Sequence, residues 1–344
     1  MFPSAKKLLF ASCFISCLGV SIGSPHGHYT PPKLNPLTNL FPHLTFNSSY
    51  TEFFGGPNIR RSNDGSHVDL SLNKYSGSGF FSQKNYYYGF FSTAIKLPPD
   101  YTAGVVVAYY MTNAGIFPHN HDEIDIELLG HEKRKEWVLQ TNVYGNGSST
   151  GREEKFYLWF DPTEEFHEYS IIWNYHHIVF LVDNIPVREL NHSEAIAGGY
   201  PSKPMSVYST IWDGSEWATH GGKKPVNYAF APFVASFTEL EMEGCIWNQT
   251  KPVSLCPKSG QAERLGFDPI DGERFVSLSQ QQKMGMEQIR EKFMFYSYCG
   301  DTARYSVLPP ECKEKKVGHS QFEKGNREMK GEDLLPAMSK ILRH

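Results

Sequence analysis

The sequence predicts an all-β sandwich followed by a C-terminal extension that contains one helix. Three observations lead there. From about His67 to Glu243 the chain runs as short β-rich stretches separated by Gly, Pro, Asn and Asp. Two of these stretches, YSIIWN and HIVFLV, meet near Tyr175 and His176 as a hairpin. Apolar spacing of three and four stands out only later, where Met286, Ile289, Phe293 and Tyr296 recur within SQQQKMGMEQIREKFMFYSYC.

Composition narrows the partners. The chain has 344 residues, 33 Lys+Arg against 37 Asp+Glu and a formal net charge of -4, so it lacks the basic surplus that holds a phosphate backbone. Nucleic acid is excluded as an expected partner. A hydrophobic share of 40% and a charged share of 20% supply a sizeable core rather than a disordered chain. The 24 Phe, 19 Tyr and 6 Trp exceed what that core needs. Tyr and Trp also pair a flat apolar face with a polar edge, which suits a sugar ring.

Taken in order, residues 1–23 read as a secretory signal peptide: Lys6 and Lys7, an apolar run from Leu8 to Val20, then small residues. The run is too short to span a bilayer, and the mature chain is expected to be extracellular and without a membrane partner. Residues 24–240 form the expected sandwich, built from HVDLSL, YYYGFFSTAIKL, GVVVAYYM, WVLQTNVYG, KFYLWF and MSVYSTIW. Residues 241–312 form the extension. Residues 313–344, rich in Lys, Glu, Gly and Arg, read as a disordered tail.

Of the six cysteines, Cys13 and Cys17 leave with the signal peptide, so Cys245, Cys256, Cys299 and Cys312 remain for an oxidising compartment. Three pairings are open to them. Cys245 with Cys256 and Cys299 with Cys312 is favoured because each closes a short loop. Sequons at Asn47, Asn146, Asn191 and Asn248 are candidate glycosylation sites.

The chemistry concentrates in HNHDEIDIELLG, His119 to Gly130. As a strand it sends His121, Glu123, Asp125 and Glu127 to one face and Ile124, Ile126 and Leu128 to the other. A helix would separate Asp125 from the two glutamates. Three carboxylates with no cation among them repel one another, and a purely structural face would mix signs. Cleavage of a glycosidic bond wants such a row: a carboxylate nucleophile, and a second, protonated carboxyl about 5 Å away in retaining enzymes. Glu123 and Glu127 can supply these if their side chains converge, since their Cα atoms lie roughly 13 Å apart on a straight strand. Asp125, between them, is placed to hydrogen-bond the nucleophile and to push a proton onto Glu127 by repulsion.

Rival signals are weaker. His119 and His121 form an H-x-H, but Glu123 and Ile124 break the zinc pattern of hydrolases, and no metal or other cofactor is expected. GSSTG, from Gly147, matches G-x-S-x-G but lies in a polar loop with no helix after it.

The stretch from His121 to Gly130 resembles the signature of the plant xyloglucan endotransglucosylase/hydrolases, which share a glycoside hydrolase clan with the bacterial β-1,3-1,4-glucanases. The similarity continues through IRRSNDGSHVDLSL, TNVYGNG, LWFDPT, HEYSIIWN, YPSKPMSVYSTIWDGSEWAT and APF, from about Phe41 to Cys312. It implies a curved two-sheet jelly roll of the concanavalin A type, with xyloglucan donor and acceptor chains lying across its concave face. It implies Glu123 as nucleophile, Asp125 as helper and Glu127 as acid/base. Trp212 and Trp217 match aromatic positions near the cleavage point, while His121, Asn142, Tyr144 and Arg188 are candidates for substrate contact. Asp122 faces the core and reads as structural. The chain departs from the family where His131, Glu132 and Lys133 replace a common sequon after Gly130, and where TNAGIFPHN makes a longer lead into His121.

The expectation is therefore a secreted, monomeric, retaining cell-wall enzyme that cleaves a β-1,4-glucan backbone and passes the glycosyl unit to another xyloglucan chain or to water. The alternatives are a simple endo-β-glucanase and a non-catalytic polysaccharide-binding wall protein, and the last would not need Glu123 and Glu127 both intact.

Overall fold

The computed structural model describes residues 29–133, 136–148, 150–248 and 267–313. The signal peptide, Cys256 and the tail after Lys313 lie outside these residues.

Two antiparallel sheets carry the fifteen strands found among the described residues. The eight-stranded sheet runs, in spatial order, β1 (Tyr50–Phe54), β4 (Ser78–Ser82), β13 (Ser206–Asp213), β6 (Val105–Thr112), β7 (Glu123–Leu129), β8 (Val138–Tyr144), β9 (Glu154–Tyr157), β15 (Met294–Ser297). The seven-stranded sheet runs β12 (Ile185–Asn191), β11 (His177–Val182), β10 (His167–Trp173), β5 (Tyr86–Lys96), β14 (Phe233–Ile246), β3 (Val68–Leu72), β2 (Ile59–Arg61). This is the expected all-β sandwich, and YSIIWN with HIVFLV forms the expected hairpin, Tyr169 opposite Val182.

The two sheets bury their strands differently, and the sequence says why. After His177, HIVFLV is apolar throughout because the seven-stranded sheet is covered on both faces. A cluster of Leu37, Phe41, Phe275 and Leu278 closes over Phe90, Ile172, Val179 and Leu181. In β7 the apolar residues alternate instead: Ile124, Ile126 and Leu128 are buried in the sandwich, which turns the acidic residues to the sheet's other face. Gly130 ends that strand because a side chain there would strike the carbonyl of Thr102.

The extension does not stand apart. β14 continues through residue 240, where the sequence divides sandwich from extension, and stays paired with β5 to Ile246 across two bulges. The C-terminal helix, Gln280–Phe293, starts at a capping box of Ser279 and Gln282. It turns Ile289 and Phe293 inward, while Met286 packs against the outer cluster. Tyr296, spaced to continue that stripe, lies instead in β15, which hydrogen-bonds to β9. The open edge of β9 offers the aromatic segment MFYS a ladder that a helix would leave unpaired.

Charged side chains seal this joint. Arg290 binds both oxygens of Glu154 at 2.5 and 2.9 Å, and Arg304 binds both of Glu153 at 2.6 and 3.2 Å. Arg152 meets Glu311 at 2.7 Å. Cys299 and Cys312 are joined as expected. Cys245 is also disulfide-bonded, and its expected partner, Cys256, lies outside the described residues.

Candidate active site

β7 occupies the interior of the eight-stranded sheet, so its face carries neighbours on both sides. Thr112 of β6 lies opposite Glu123, Tyr110 opposite Asp125 and Ala108 opposite Glu127. On the other side, Tyr144, Asn142 and Gln140 of β8 stand opposite the same three acids. Pairing across strands keeps these side chains on one face, and Glu123 and Asp125 are only 3% and 5% exposed.

Each acid is held differently. Gln140 donates from Nε2 to Glu127 Oε2 at 2.5 Å. Glu123 takes a hydrogen bond from the Thr112 side chain. Glu123 Oε2 and Asp125 Oδ1 are buried without a hydrogen-bond partner among the described residues. Burial raises all three pKa values. It pushes Glu127 up to about 7, against a lowering by Gln140, with Glu153 raising it further and Lys155 lowering it. Asp125 is pushed well above the carboxylate range, first by burial, then by Glu123 and Glu127. Glu123 is raised as well, by burial first, with the Thr112 hydrogen bond opposing it. Burial and mutual repulsion both work against charging the three carboxyl groups together. Glu153 adds to the burial that raises Glu127, while the repulsion between Asp125 and Glu127 raises Asp125.

The remaining candidates separate. Trp212 and Trp217 are half-buried, with ring centroids 5.9 Å apart and planes tilted by 42°. Both indole nitrogens are buried without a partner among the described residues. Trp212 shares its strand face with Tyr208, which stacks on Tyr110 at 5.1 Å and on Phe81 at 5.4 Å. His121 lies two residues before β7, and burial holds its ring below the usual imidazole range. Asn142 and Tyr144 lie beside the acids, but the Asn142 Oδ1 already accepts from the backbone N–H groups of Val143 and Arg152. Arg188 does not reach this face. It is 1% exposed, donates to the backbone and side-chain oxygens of Thr141, and lies over the rings of Phe180 and Tyr298. Its place in the interior replaces the expected role in substrate contact.

Asp122 accepts from the backbone N–H groups of Asn146, Ser202 and Lys203 and pairs with the Lys203 ammonium at 2.8 Å. It ties three loops at one end of the site, as its parity suggested. Asn47, Asn146, Asn191 and Asn248 are all exposed. Among the described residues no group of three or more His, Cys, Asp or Glu side chains is arranged to hold a metal ion.

Sequence reasoning passed over Gln140, Thr112, Lys155 and Glu153. Gln140 was within reach, because it shares the period-two face of Asn142 and Tyr144. Thr112, Lys155 and Glu153 depend on strand register, which no local pattern encodes.

A row of buried and half-buried carboxyl groups at raised pKa, beside aromatic rings, suits acid/base and nucleophilic work on a polysaccharide. The model of glycosyl hydrolases family 16 matches residues 46–230, and that of the xyloglucan endo-transglycosylase C-terminus matches 269–312. A probable xyloglucan endotransglucosylase/hydrolase of Arabidopsis thaliana is 50% identical over 277 residues, covering 80% of each chain. Another from the same plant is 48% identical over 271 residues, covering 78% of this chain and 77% of its own. The crystal structure of a prokaryotic β-1,3-1,4-glucanase from a mouse hindgut metagenome aligns with a TM-score of 0.46 and 22% identity, over 56% of this chain and 92% of its own.

Proposed function

The chain belongs to glycosyl hydrolases family 16, and from that premise we propose that Glu123, Asp125 and Glu127 perform a retaining cleavage and transfer of the xyloglucan backbone. The enzyme is a xyloglucan endotransglucosylase/hydrolase. Glu123 attacks the anomeric carbon and forms the glycosyl-enzyme, while Glu127 gives its proton to the departing glycosidic oxygen. Glu127, now charged, takes a proton from the incoming sugar hydroxyl or water, which displaces Glu123 and restores the starting configuration. Asp125, kept protonated by its surroundings, donates a hydrogen bond to Glu123 and favours the charged nucleophile.

The observation that carries this reading is the placing of three carboxyl groups, Glu123 and Asp125 buried and Glu127 half-buried, on one face of a strand inside the sheet. A wall-binding sandwich would need aromatic rings and hydrogen bonds but no buried acid pair. Trp212 and Trp217 stack sugars in this reading, with His121 and Tyr144 bordering the nucleophile. Transfer is favoured over hydrolysis because β15 widens the catalytic face on the Glu127 side, where an acceptor chain can lie. Both outcomes share one covalent intermediate and differ in how well a sugar outcompetes water. The amino-terminal signal, the exposed sequons and the plant relatives support secretion into the cell wall, where the enzyme acts as a monomer. No helix among the described residues is long and apolar enough to cross a membrane.

Incubation with xyloglucan and a labelled xyloglucan oligosaccharide tests the reading. Label entering polymer identifies transfer, and new reducing ends alone identify hydrolysis. Neither signal from folded protein would leave the acidic strand without this chemistry.

A further inference from the structure

Beyond β8 the catalytic face continues onto β9 and β15. Gln140 is opposite Lys155, and Lys155 is opposite Tyr296, so one row runs Glu127, Gln140, Lys155, Tyr296 across four strands. The Gln140 amide gives its N–H to Glu127, while its Oε1 is buried with no hydrogen-bond partner among the described residues. The next side chain in the row is a cation, Lys155, whose ammonium lies 5.7 Å from the centre of the Tyr296 ring. Two residues earlier, Glu153 is buried and clamped by Arg304 from the extension. The Tyr296 hydroxyl in turn donates to Asp301 at 2.9 Å.

We propose that Lys155, fixed by Tyr296 and acting through Gln140, together with the Arg304–Glu153 pair, sets the proton affinity of the acid/base Glu127. This rests on the assignment of Glu127 made above. A cation in the row next to Gln140 on the side away from Glu127 polarises the amide, strengthens the N–H bond given to Glu127 and favours the charged carboxylate. Glu153 pulls the other way, and Arg304 cancels part of its charge. The directions of the Glu127 shift agree: Glu153 raises it and Lys155 lowers it. The other titratable or charged groups around Glu127 are Glu123 and Asp125 on its own strand, Tyr110 on β6, and Tyr144 on β8. Among the described residues, Lys155 is the cation that acts on Glu127 and Arg304 the one paired with Glu153, while Arg188 acts on Asp125. Lys155 is a positioning residue in this scheme, and the extension, by supplying Tyr296 and Arg304, tunes the catalytic proton from three strands away.

The test is the pH dependence of kcat/KM on a xyloglucan oligosaccharide, whose alkaline limb reports loss of the acid/base proton in the free enzyme. Lys155→Met should move that limb to higher pH by about half a unit or more, and Lys155→Arg should leave it in place. Glu153→Gln should move it to lower pH, because an anion is lost and Arg304 is freed. Matching melting temperatures show that the variants are folded, and the two milder substitutions carry the test if Lys155→Met is not. Glu127→Ala is assayed beside them, with and without azide. An unmoved limb in Lys155→Met, alongside an inactive and azide-rescued Glu127→Ala, would overturn the tuning role and leave the catalytic reading standing. So would a rise in acceptor KM with the limb unmoved, which makes Lys155 a sugar contact. A fully active Glu127→Ala would instead remove the assignment beneath the proposal.

Discussion

Arg290, on the C-terminal helix, holds both carboxylate oxygens of Glu154, the first residue of β9. Arg188 approaches the same carboxylate at 3.7 Å and the Ser297 hydroxyl donates to it at 3.1 Å. One buried acid thus joins the catalytic sheet, the opposite sheet and the extension.

Breaking that joint has a large expected effect. Arg290→Met leaves Glu154 buried with its charge only partly met, and removing one partner of a buried pair costs about 3 kcal/mol or more. Urea unfolding followed by tryptophan fluorescence should show the loss. A variant within about 0.5 kcal/mol of wild type would mean the pair is replaceable, as exposed pairs are.

The two glutamates should respond oppositely to azide. With an activated aryl glycoside that needs no acid, Glu127→Ala should form the covalent intermediate, turn over slowly and be rescued to a β-glycosyl azide after two inversions. Glu123→Ala leaves space where the nucleophile stood, and azide entering there should give the α-azide in one inversion. Exchanged products would exchange the roles.

Truncating the indoles should weaken polysaccharide binding. Trp212→Ala or Trp217→Ala is expected to lose roughly 1 to 3 kcal/mol if the rings serve as stacking surfaces. Full xyloglucan affinity in a folded double variant would return both rings to a packing role.

Stability should fall as pH rises. The folded-state pKa values of Glu127 and Glu243 are about 7 against an ordinary 4.5, with burial the first cause of each. The fold therefore favours their protonated forms, a contribution complete below about 4.5 and lost as pH rises through about 7. Melting temperature should drop over that window, and Glu127→Gln should flatten the drop. A steeper drop in the variant would contradict the assignment.

Peptide mapping without reduction should recover Cys245 linked to Cys256 beside the Cys299–Cys312 pair. A Cys245–Cys299 peptide would show another connectivity.

The acidic strand was legible because period-two alternation is a local property: Ile124, Ile126 and Leu128 mark the buried face, so the opposite face is set with them. The sandwich and its hairpin were legible through another local property, short β-rich runs bounded by turn residues. β15 was not, because MFYS continues a helical stripe in sequence and becomes a strand only where β9 presents an edge. Arg188 misled because an arginine near sugar-binding positions carries no sign of which face it leaves. Its inward course is fixed by Thr141 and Tyr298, distant in sequence. The influence of Glu153 on Glu127 was hidden likewise, since Glu153 approaches only through the order of strands.

The extension's contribution of β15 to the catalytic sheet also gives the enzyme a ruler. Neighbouring strands lie about 4.8 Å apart, so a polysaccharide laid across them meets a new row of side chains at each such step. A domain hinged beside the cleft would change the reach of the site by swinging. A strand hydrogen-bonded to β9 adds a fixed graduation, and the length of sugar chain the enzyme can hold on the Glu127 side is then counted in strands.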